Sequence, residues 1–156
     1  MNSLFGVYEC NADAKGRVML PAAFKKQLAA VSANGFVIKR SIFSKSIELY
    51  PIAVWNDMVK EVNKLNKFVK KNAEFIRMFN YGVMSVDLDA TSRLLISKDL
   101  MQFANITKNV VMAAAGDRIE IWDKKAYDKF IAEGSSNFEK LAEEVMGGIN
   151  PSDTEK

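Results

Sequence analysis

The stretch "NADAKGRVMLPAAF", residues 11–24, is matched by "DLDATSRLLISKDL", residues 87–100, at an offset of 76 residues. Both stretches contain an Asp, three further residues and an Arg, followed by a short apolar run. A second pair of blocks, "IELYPIAVW" at 47–55 and "IEIWDKKAY" at 119–127, matches at an offset of 72. The chain is therefore built from an internal repeat, and each copy is a candidate half of one structure.

Each copy predicts two short strands around the Asp-x-x-x-Arg turn, followed by a short helix and a second hairpin. In the first copy Gly16 suits the positive φ of a tight turn, and Pro21 suits the first turn of a helix. In the second copy Ser97 is a predicted N-cap and Gly116 lies in the hairpin turn. Because one copy is too small to be stable alone, we expect a mixed α/β (α+β) unit with pseudo-twofold symmetry.

Amphipathic helices are predicted between the two copies and after the second copy. The last of them is expected to begin at Ser136, where "SNFE" has the pattern of a capping box. The predicted organisation is a first repeat at 4–54, a helical connector at 55–81, a second repeat at 82–125, C-terminal helices at 126–147 and a disordered tail at 148–156.

The composition argues against an enzyme. The sequence has no histidine and one cysteine, Cys10, which excludes Ser-His-Asp and Cys-His catalysis and makes a zinc site unexpected. No glycine-rich phosphate loop or nucleotide fingerprint is present, so we expect no cofactor and no small-molecule substrate. An enzyme in which Asp13 and Asp89 approach one another across the pseudo-twofold is the disfavoured alternative.

Charge is distributed unevenly along the chain. Residues 133–156 hold six acids and two bases, a net charge of −4, so the total of +3 leaves +7 for residues 1–132. Such an excess can attract a polyanion, and it can equally be a solubilising surface. No apolar run approaches the roughly 20 residues of a membrane span, and no secretory signal is recognisable. We therefore expect a cytoplasmic protein that does not enter a membrane.

The paired turns have a chemistry suited to nucleic acid. An Asp that opens a turn can accept hydrogen bonds from the backbone and fix the loop. The Arg then offers a planar fork that matches phosphate oxygens or the O6/N7 edge of guanine, and Lys15 adds a phosphate contact. The alternative is that each Asp and Arg only pair with each other, which contributes about 0–1 kcal/mol when exposed. The recurrence of the motif in both copies favours binding.

Four blocks resemble the MraZ transcriptional regulators: "YECNADAKGRVMLPAAFKKQL", "FVIKRSIFSKSIELYP", "FNYGVMSVDLDATSRLLI" and "GDRIEIWDKKAY". The resemblance covers residues 4–130 and implies two AbrB-like swapped-hairpin repeats in a pseudo-twofold β-barrel with peripheral helices. It implies that Arg17 and Arg93 contact DNA, while the motif acids are Asp13 and Asp89.

The resemblance also implies a cellular role. Members of this family are nucleoid-associated, ring-shaped homo-oligomers that bind short direct repeats upstream of the cell division and cell wall gene cluster, generally in their own promoter. The double-stranded DNA partner and the ring are therefore expectations for this chain. Two alternatives stay open: an oligomeric scaffold whose loops contact a protein partner, and, less favoured, an antitoxin built on the same hairpin module.

The second copy departs from the pattern of the first. Ser92 stands where the first copy has Gly16, and Thr91 stands where it has Lys15. Because positive φ is harder for Ser than for Gly, the second loop is expected to differ in shape. The first loop is then the main base reader, and Arg17→Ala is expected to lower DNA affinity more than the matching change in the second copy.

Overall fold

The computed structural model describes residues 3–147, so the predicted disordered tail at 148–156 lies outside the described residues. The chain divides into two compact units, Met1–Lys124 and Lys125–Lys156. No helix in the described part of the chain is long and apolar enough to span a membrane.

The first unit contains both repeats, and each has the order strand, strand, helix, strand, strand. This confirms the predicted mixed α/β class and the internal repeat. The elements in chain order are β1 (Val7–Asn11), β2 (Arg17–Met19), α1 (Ala22–Gln27), a 3-10 turn (Ser32–Asn34), β3 (Phe36–Arg40), β4 (Ile47–Pro51), α2 (Ile52–Asn63), α3 (Lys70–Asn80), β5 (Met84–Val86), β6 (Arg93–Leu95), α4 (Lys98–Phe103), β7 (Asn109–Ala115), β8 (Arg118–Asp123), α5 (Lys124–Ser136) and α6 (Phe138–Met146).

The repeats exchange strands. Six strands form an antiparallel sheet in the order β1-β7-β8-β4-β3-β5, and β2 pairs with β6 in a separate two-stranded ribbon. The opening strand of the first copy, β1, thus pairs with β7 of the second copy, and β5 of the second copy pairs with β3 of the first. Neither copy can complete its pairing alone. The six-stranded sheet ends at β1 and β5, so the closed barrel stays a prediction.

The main core lies inside this exchanged structure. Val18 and Leu94 are fully buried at the centre of the β2–β6 ribbon, and Phe24 and Leu28 pack beside them from α1 and the residues after it. Burying one such side chain contributes roughly 1.5–3 kcal/mol. Because both copies contribute to the same cluster, the core stabilises the ribbon that carries the two Asp-x-x-x-Arg turns.

A second apolar cluster covers the other side of β3 and β4 with the helical connector. Trp55 of α2 stacks on Phe79 of α3 with ring centroids 5.4 Å apart, and Tyr50 of β4 lies 5.8 Å from Trp55. Val37 of β3 completes the cluster. The connector helices therefore bury a sheet face that would otherwise be in contact with solvent.

An ionic cluster lies beneath this connector. Lys39 is 2% exposed and Glu48 is 6% exposed, and their charged atoms are 3.6 Å apart. The Lys39 Nζ also donates a hydrogen bond to the carbonyl of Arg40 at 2.6 Å, and burial lowers the pKa of Lys39. The Arg118 Nε lies 2.8 Å from Glu48 but its N–H is not aimed at an acceptor, so this contact is ionic rather than a hydrogen bond.

The second unit consists of most of α5 together with α6. The predicted capping box at Ser136 is wrong, because Ser136 is the last residue of α5 and its hydroxyl donates to the carbonyl of Glu133 at 2.7 Å. Asn137 occupies the N-cap position of α6 and makes no side-chain capping hydrogen bond.

Candidate nucleic-acid interface

The two Asp-x-x-x-Arg turns meet at the β2–β6 ribbon. Val18 lies opposite Leu94 at its centre, and these two positions are equivalent in the repeat, so a pseudo-twofold axis passes between them. Because alternate side chains of a strand point to opposite faces, Arg17 and Arg93 leave the ribbon on the face away from the buried Val18 and Leu94. The fold thus brings together two sites separated by 76 residues in the sequence.

In the first turn the carboxylate of Asp13 holds the backbone. One oxygen, Oδ1, accepts hydrogen bonds from the amides of Lys15 and Arg17, each at 2.9 Å. The other, Oδ2, accepts from the Nε of Arg17 at 2.6 Å, and the Asp13 carbonyl accepts from the amide of Gly16 at 3.0 Å. The hydrogen bond from the Arg17 amide is the main cause that lowers the pKa of Asp13.

The second turn repeats this arrangement. Asp89 Oδ1 accepts from the amides of Thr91 and Arg93, each at 2.9 Å, and Oδ2 accepts from the Nε of Arg93 at 2.9 Å. The Thr91 hydroxyl adds a hydrogen bond at 3.0 Å, and the Ser92 amide donates to the Asp89 carbonyl at 3.0 Å. Led by the Arg93 amide, these contacts lower the pKa of Asp89 to about 2.

The expectation that the second loop differs in shape is wrong. Ser92 adopts φ 64°, in the same left-handed region as Gly16 at φ 87°. The Ser92 carbonyl accepts from the amide of Leu20 at 2.9 Å, just as the Gly16 carbonyl accepts from the amide of Ile96 at 2.9 Å. These symmetric hydrogen bonds hold Ser92 in a conformation that costs an L-residue about 1–2 kcal/mol.

Gly16→Ala is expected to destabilise the first turn beyond the cost of positive φ. A Cβ at Gly16 would lie 2.6 Å from the carbonyl oxygen of Ile96, so the backbone of the first turn must shift, whereas Ser92 carries its Cβ at φ 64° rather than the 87° of Gly16. The matched control is Gly116→Ala, where φ is 70° and no atom lies within 4 Å of the added Cβ. Chemical denaturation should show a loss of about 1–2 kcal/mol for the control. Gly16→Ala should lose at least about 1 kcal/mol more, the contribution of a backbone hydrogen bond. Equal losses would contradict this close approach of Gly16 to Ile96.

Each arginine keeps donors for a ligand while it pairs with its Asp. The side chains of Arg17 and Arg93 are 34% and 32% exposed, and both pair with their own Asp through Nε. A guanidinium has five N–H donors, so the terminal amino groups are not consumed by these ion pairs. The Arg93 Nη1 also lies 3.9 Å from Asp13 Oδ2, which links the two turns. The Asp–Arg pair therefore orients the arginine and is compatible with binding.

A basic residue at the second turn was not identified from the sequence. The Nζ of Lys25, on α1 of the first copy, donates to the hydroxyl of Ser92 at 2.6 Å. The second turn has Thr91 where the first has Lys15, and Lys25 supplies the missing charge from the other copy. The equivalent position beside the first turn holds Met101. No local signal could have revealed this contact, since 67 residues separate its partners.

Metal-binding chemistry has no support in the described residues. Among residues 3–147, no group of three or more His, Cys, Asp or Glu side chains is placed to hold a metal ion. The thiol of Cys10 is half-buried in β1, and burial raises its pKa. This environment is that of a packed side chain rather than of a reactive thiolate.

The fold and the site define a class: two-repeat α+β proteins whose copies exchange strands and present paired arginines on one ribbon. The family model "MraZ protein, putative antitoxin-like" matches twice, over residues 4–78 and 79–147. This chain belongs to the MraZ family, which confirms the resemblance recognised in its sequence.

Relatives extend over nearly the whole chain. A Flavobacterium psychrophilum protein named "Transcriptional regulator MraZ" is 52% identical over 150 residues, 96% of each chain. Proteins of the same name from Christiangramia forsetii and Cytophaga hutchinsonii are 52% and 38% identical, each covering 94% of this chain and 95% and 96% of their own lengths. The relatives are regulators by name, and the prediction that this chain is not an enzyme is confirmed.

Proposed function

We propose that the protein is a DNA-binding transcriptional regulator whose DNA contacts are made by Arg17 and Arg93, with Lys15 as a phosphate contact. The observation that carries this proposal is the symmetric ribbon, which offers two oriented guanidinium groups on one surface. An Arg fork matches two acceptors of guanine in the major groove. The names of the relatives agree with this role.

The surroundings of the ribbon favour a polyanion. Lys15 and Lys25 place one ammonium group at each turn, and the net charge of residues 1–132 is +7. Phosphate contacts of this kind supply most of the sequence-independent affinity and weaken as salt rises. Asp13, Gly16 and Asp89 shape the turns so that the arginines are held before DNA arrives.

One ribbon makes few contacts with DNA, so we also propose that the protein assembles into an oligomer. In each protomer the exchanged sheet and the ribbon together would form the closed pseudo-twofold barrel, and several protomers would form a homo-oligomeric ring. Linked sites raise the effective concentration at neighbouring DNA sites. Successive subunits of a ring suit direct repeats, whereas an isolated twofold dimer expects a palindrome. The DNA target would be the direct repeats in the promoter of the division and cell wall gene cluster, which is the protein's own operon. The protein would act in the cytoplasm, associated with the nucleoid.

The test is a titration of labelled DNA from upstream of the protein's own gene. DNA with the repeats intact is compared with DNA in which the repeats are scrambled, at two salt concentrations, while native mass spectrometry counts the subunits. We expect the intact repeats to be preferred at both salt concentrations, with a ring as the bound species. Equal binding to both DNAs would refute a sequence-specific regulator and favour a scaffold whose loops contact a protein.

Lys25→Ala is expected to weaken DNA binding equally on specific and scrambled DNA. Removing one phosphate contact should reduce the slope of log affinity against log salt by about 0.9 for each bound protomer. The control is Lys26→Ala, since Lys26 is the next residue of the same helix, is also exposed and makes no side-chain hydrogen bond to the second turn. An unchanged salt slope in Lys25→Ala would contradict the assignment of Lys25 to the interface.

A further inference from the structure

Two large apolar side chains lie beside the arginines of the ribbon. Met19 and Leu95 are 57% and 58% exposed, although each is the immediate neighbour in sequence of a fully buried core residue. In the ribbon Met19 lies opposite Arg93, and Leu95 lies opposite Arg17. Each arginine is therefore flanked by an apolar side chain from the other copy.

Packing of the ribbon against the core does not explain why Met19 and Leu95 are apolar. Side chains of alternate residues point to opposite faces, and Val18 and Leu94 supply the buried face. Met19 and Leu95 share the outer face with the arginines, and directly opposed residues have Cβ atoms about 4.5–5.5 Å apart. The outer face thus alternates cation and apolar group around the pseudo-twofold axis.

This pattern fits the chemistry of the major groove. The groove is about 12 Å wide and admits a two-stranded ribbon, and its apolar feature is the C5-methyl group of thymine. The diagonal separation of the two arginines on the ribbon is about 7–8 Å, close to two base steps of about 3.4 Å. An apolar side chain next to each arginine is therefore placed to meet a base adjacent to the guanine.

We propose that Met19 and Leu95 read thymine methyl groups beside the guanines contacted by Arg17 and Arg93. The inference rests on the proposed function and adds a second base to the specificity of each arginine. The pseudo-twofold axis relates the Arg17–Leu95 pair to the Arg93–Met19 pair. Each ribbon would therefore read a short DNA element in which both DNA strands present guanine and thymine in the same order.

The test uses repeat-bearing DNA synthesised with deoxyuridine in place of thymidine, which removes only the C5-methyl groups. Wild-type protein should bind the uracil DNA about fourfold more weakly for each thymine methyl group that it reads, the value of one buried methyl-sized group. The variant Met19→Ala/Leu95→Ala should bind both DNAs with equal affinity. Both side chains are exposed, so the variant should keep the wild-type melting temperature and oligomeric state.

The control is Met84→Ala, which removes a Met of similar exposure, 50%, from β5 rather than from the ribbon. This variant should retain the full sensitivity to thymine methyl groups. Uracil DNA that weakens the double variant as much as the wild type would overturn the inference, as would a wild type that is indifferent to uracil.

Binding to scrambled DNA and binding to uracil DNA report on different contacts of the protein. Wild-type protein that binds intact and scrambled repeats equally would overturn the proposed function and this inference together. Sequence-dependent binding that requires Arg17 but tolerates uracil would overturn the methyl contacts alone.

Discussion

Arg17→Ala and Arg93→Ala are each expected to lower the affinity for repeat-bearing DNA by roughly tenfold, and to do so within about threefold of one another. A bidentate arginine–guanine pair provides about 1–3 kcal/mol of discrimination, and about 1.4 kcal/mol corresponds to a factor of ten. On a ring, the loss recurs at every bound subunit, so the effect on the assembled protein is larger still.

The expected equality follows from the structure and replaces the ranking that the sequence suggested. That ranking assumed a distorted second loop without a basic neighbour. Both turns instead share the same backbone hydrogen bonds, and Lys25 supplies the charge that Thr91 lacks. The two arginines are also almost equally exposed, at 34% and 32%.

The measurement is a DNA titration with each alanine variant and with Arg17→Lys and Arg93→Lys as matched controls. Lysine keeps the charge but not the planar fork, so these controls should retain binding to scrambled DNA while they lose preference for the repeats. A loss confined to Arg17→Ala would show that the second turn only supports the first. If neither alanine variant lost affinity for DNA, neither arginine would belong to the interface.

The repeat, the turn and the caps of short elements were predictable because their signals are local. Ser97 was expected to cap a helix, and its hydroxyl does accept from the amide of Leu100 at 3.3 Å. The same rule failed at Ser136, where the hydroxyl bonds back to the preceding helical turn and α5 continues through the residue. The sequence has a capping pattern at both Ser97 and Ser136. Whether the hydroxyl caps the next helix depends on whether a backbone carbonyl of the preceding turn competes for it.

Contacts between residues far apart in the sequence account for the other differences between the predicted and the observed structure. Lys25 reaches the second turn because β2 of the first copy pairs with β6 of the second, which the order of elements does not reveal. Ser92 accepts positive φ because its carbonyl is bound by the other copy. In both cases a residue of the first copy contacts the second copy, and no window of sequence contains both partners.

In the hairpin of β3 and β4, the alternation of the strand sequence does not predict which side chains are buried. An alternating strand predicts one buried face and one solvated face, and Lys39 and Glu48 would belong to the solvated face. The connector helices cover that face instead, with Trp55 and Phe79 packed above it. Charged residues are consequently buried in positions that a strand pattern assigns to solvent.

Glu48→Ala is therefore expected to destabilise the protein by about 3–5 kcal/mol, the cost of leaving a buried charge without its partner. The variant leaves the ammonium group of Lys39 inside the fold with a carbonyl oxygen and an aromatic ring as its contacts and with the like charges of Arg118 and Arg40 close by. It also removes the carboxylate that lies 2.8 Å from the Arg118 Nε. Unfolding in denaturant, followed by circular dichroism, measures the change in the free energy of unfolding.

The control is Glu120→Ala, because Glu120 lies directly opposite Glu48 on β8 but is only partly buried. Its carboxylate accepts one long hydrogen bond, 3.4 Å, from the indole of Trp122, and its loss should cost about 1 kcal/mol. The double variant Glu48→Ala/Lys39→Met should recover much of the stability, since it removes the stranded charge and fills its space with an apolar chain. Equal losses for the two glutamates, with no recovery in the double variant, would show that water reaches Lys39. The cluster would then behave as a surface ion pair.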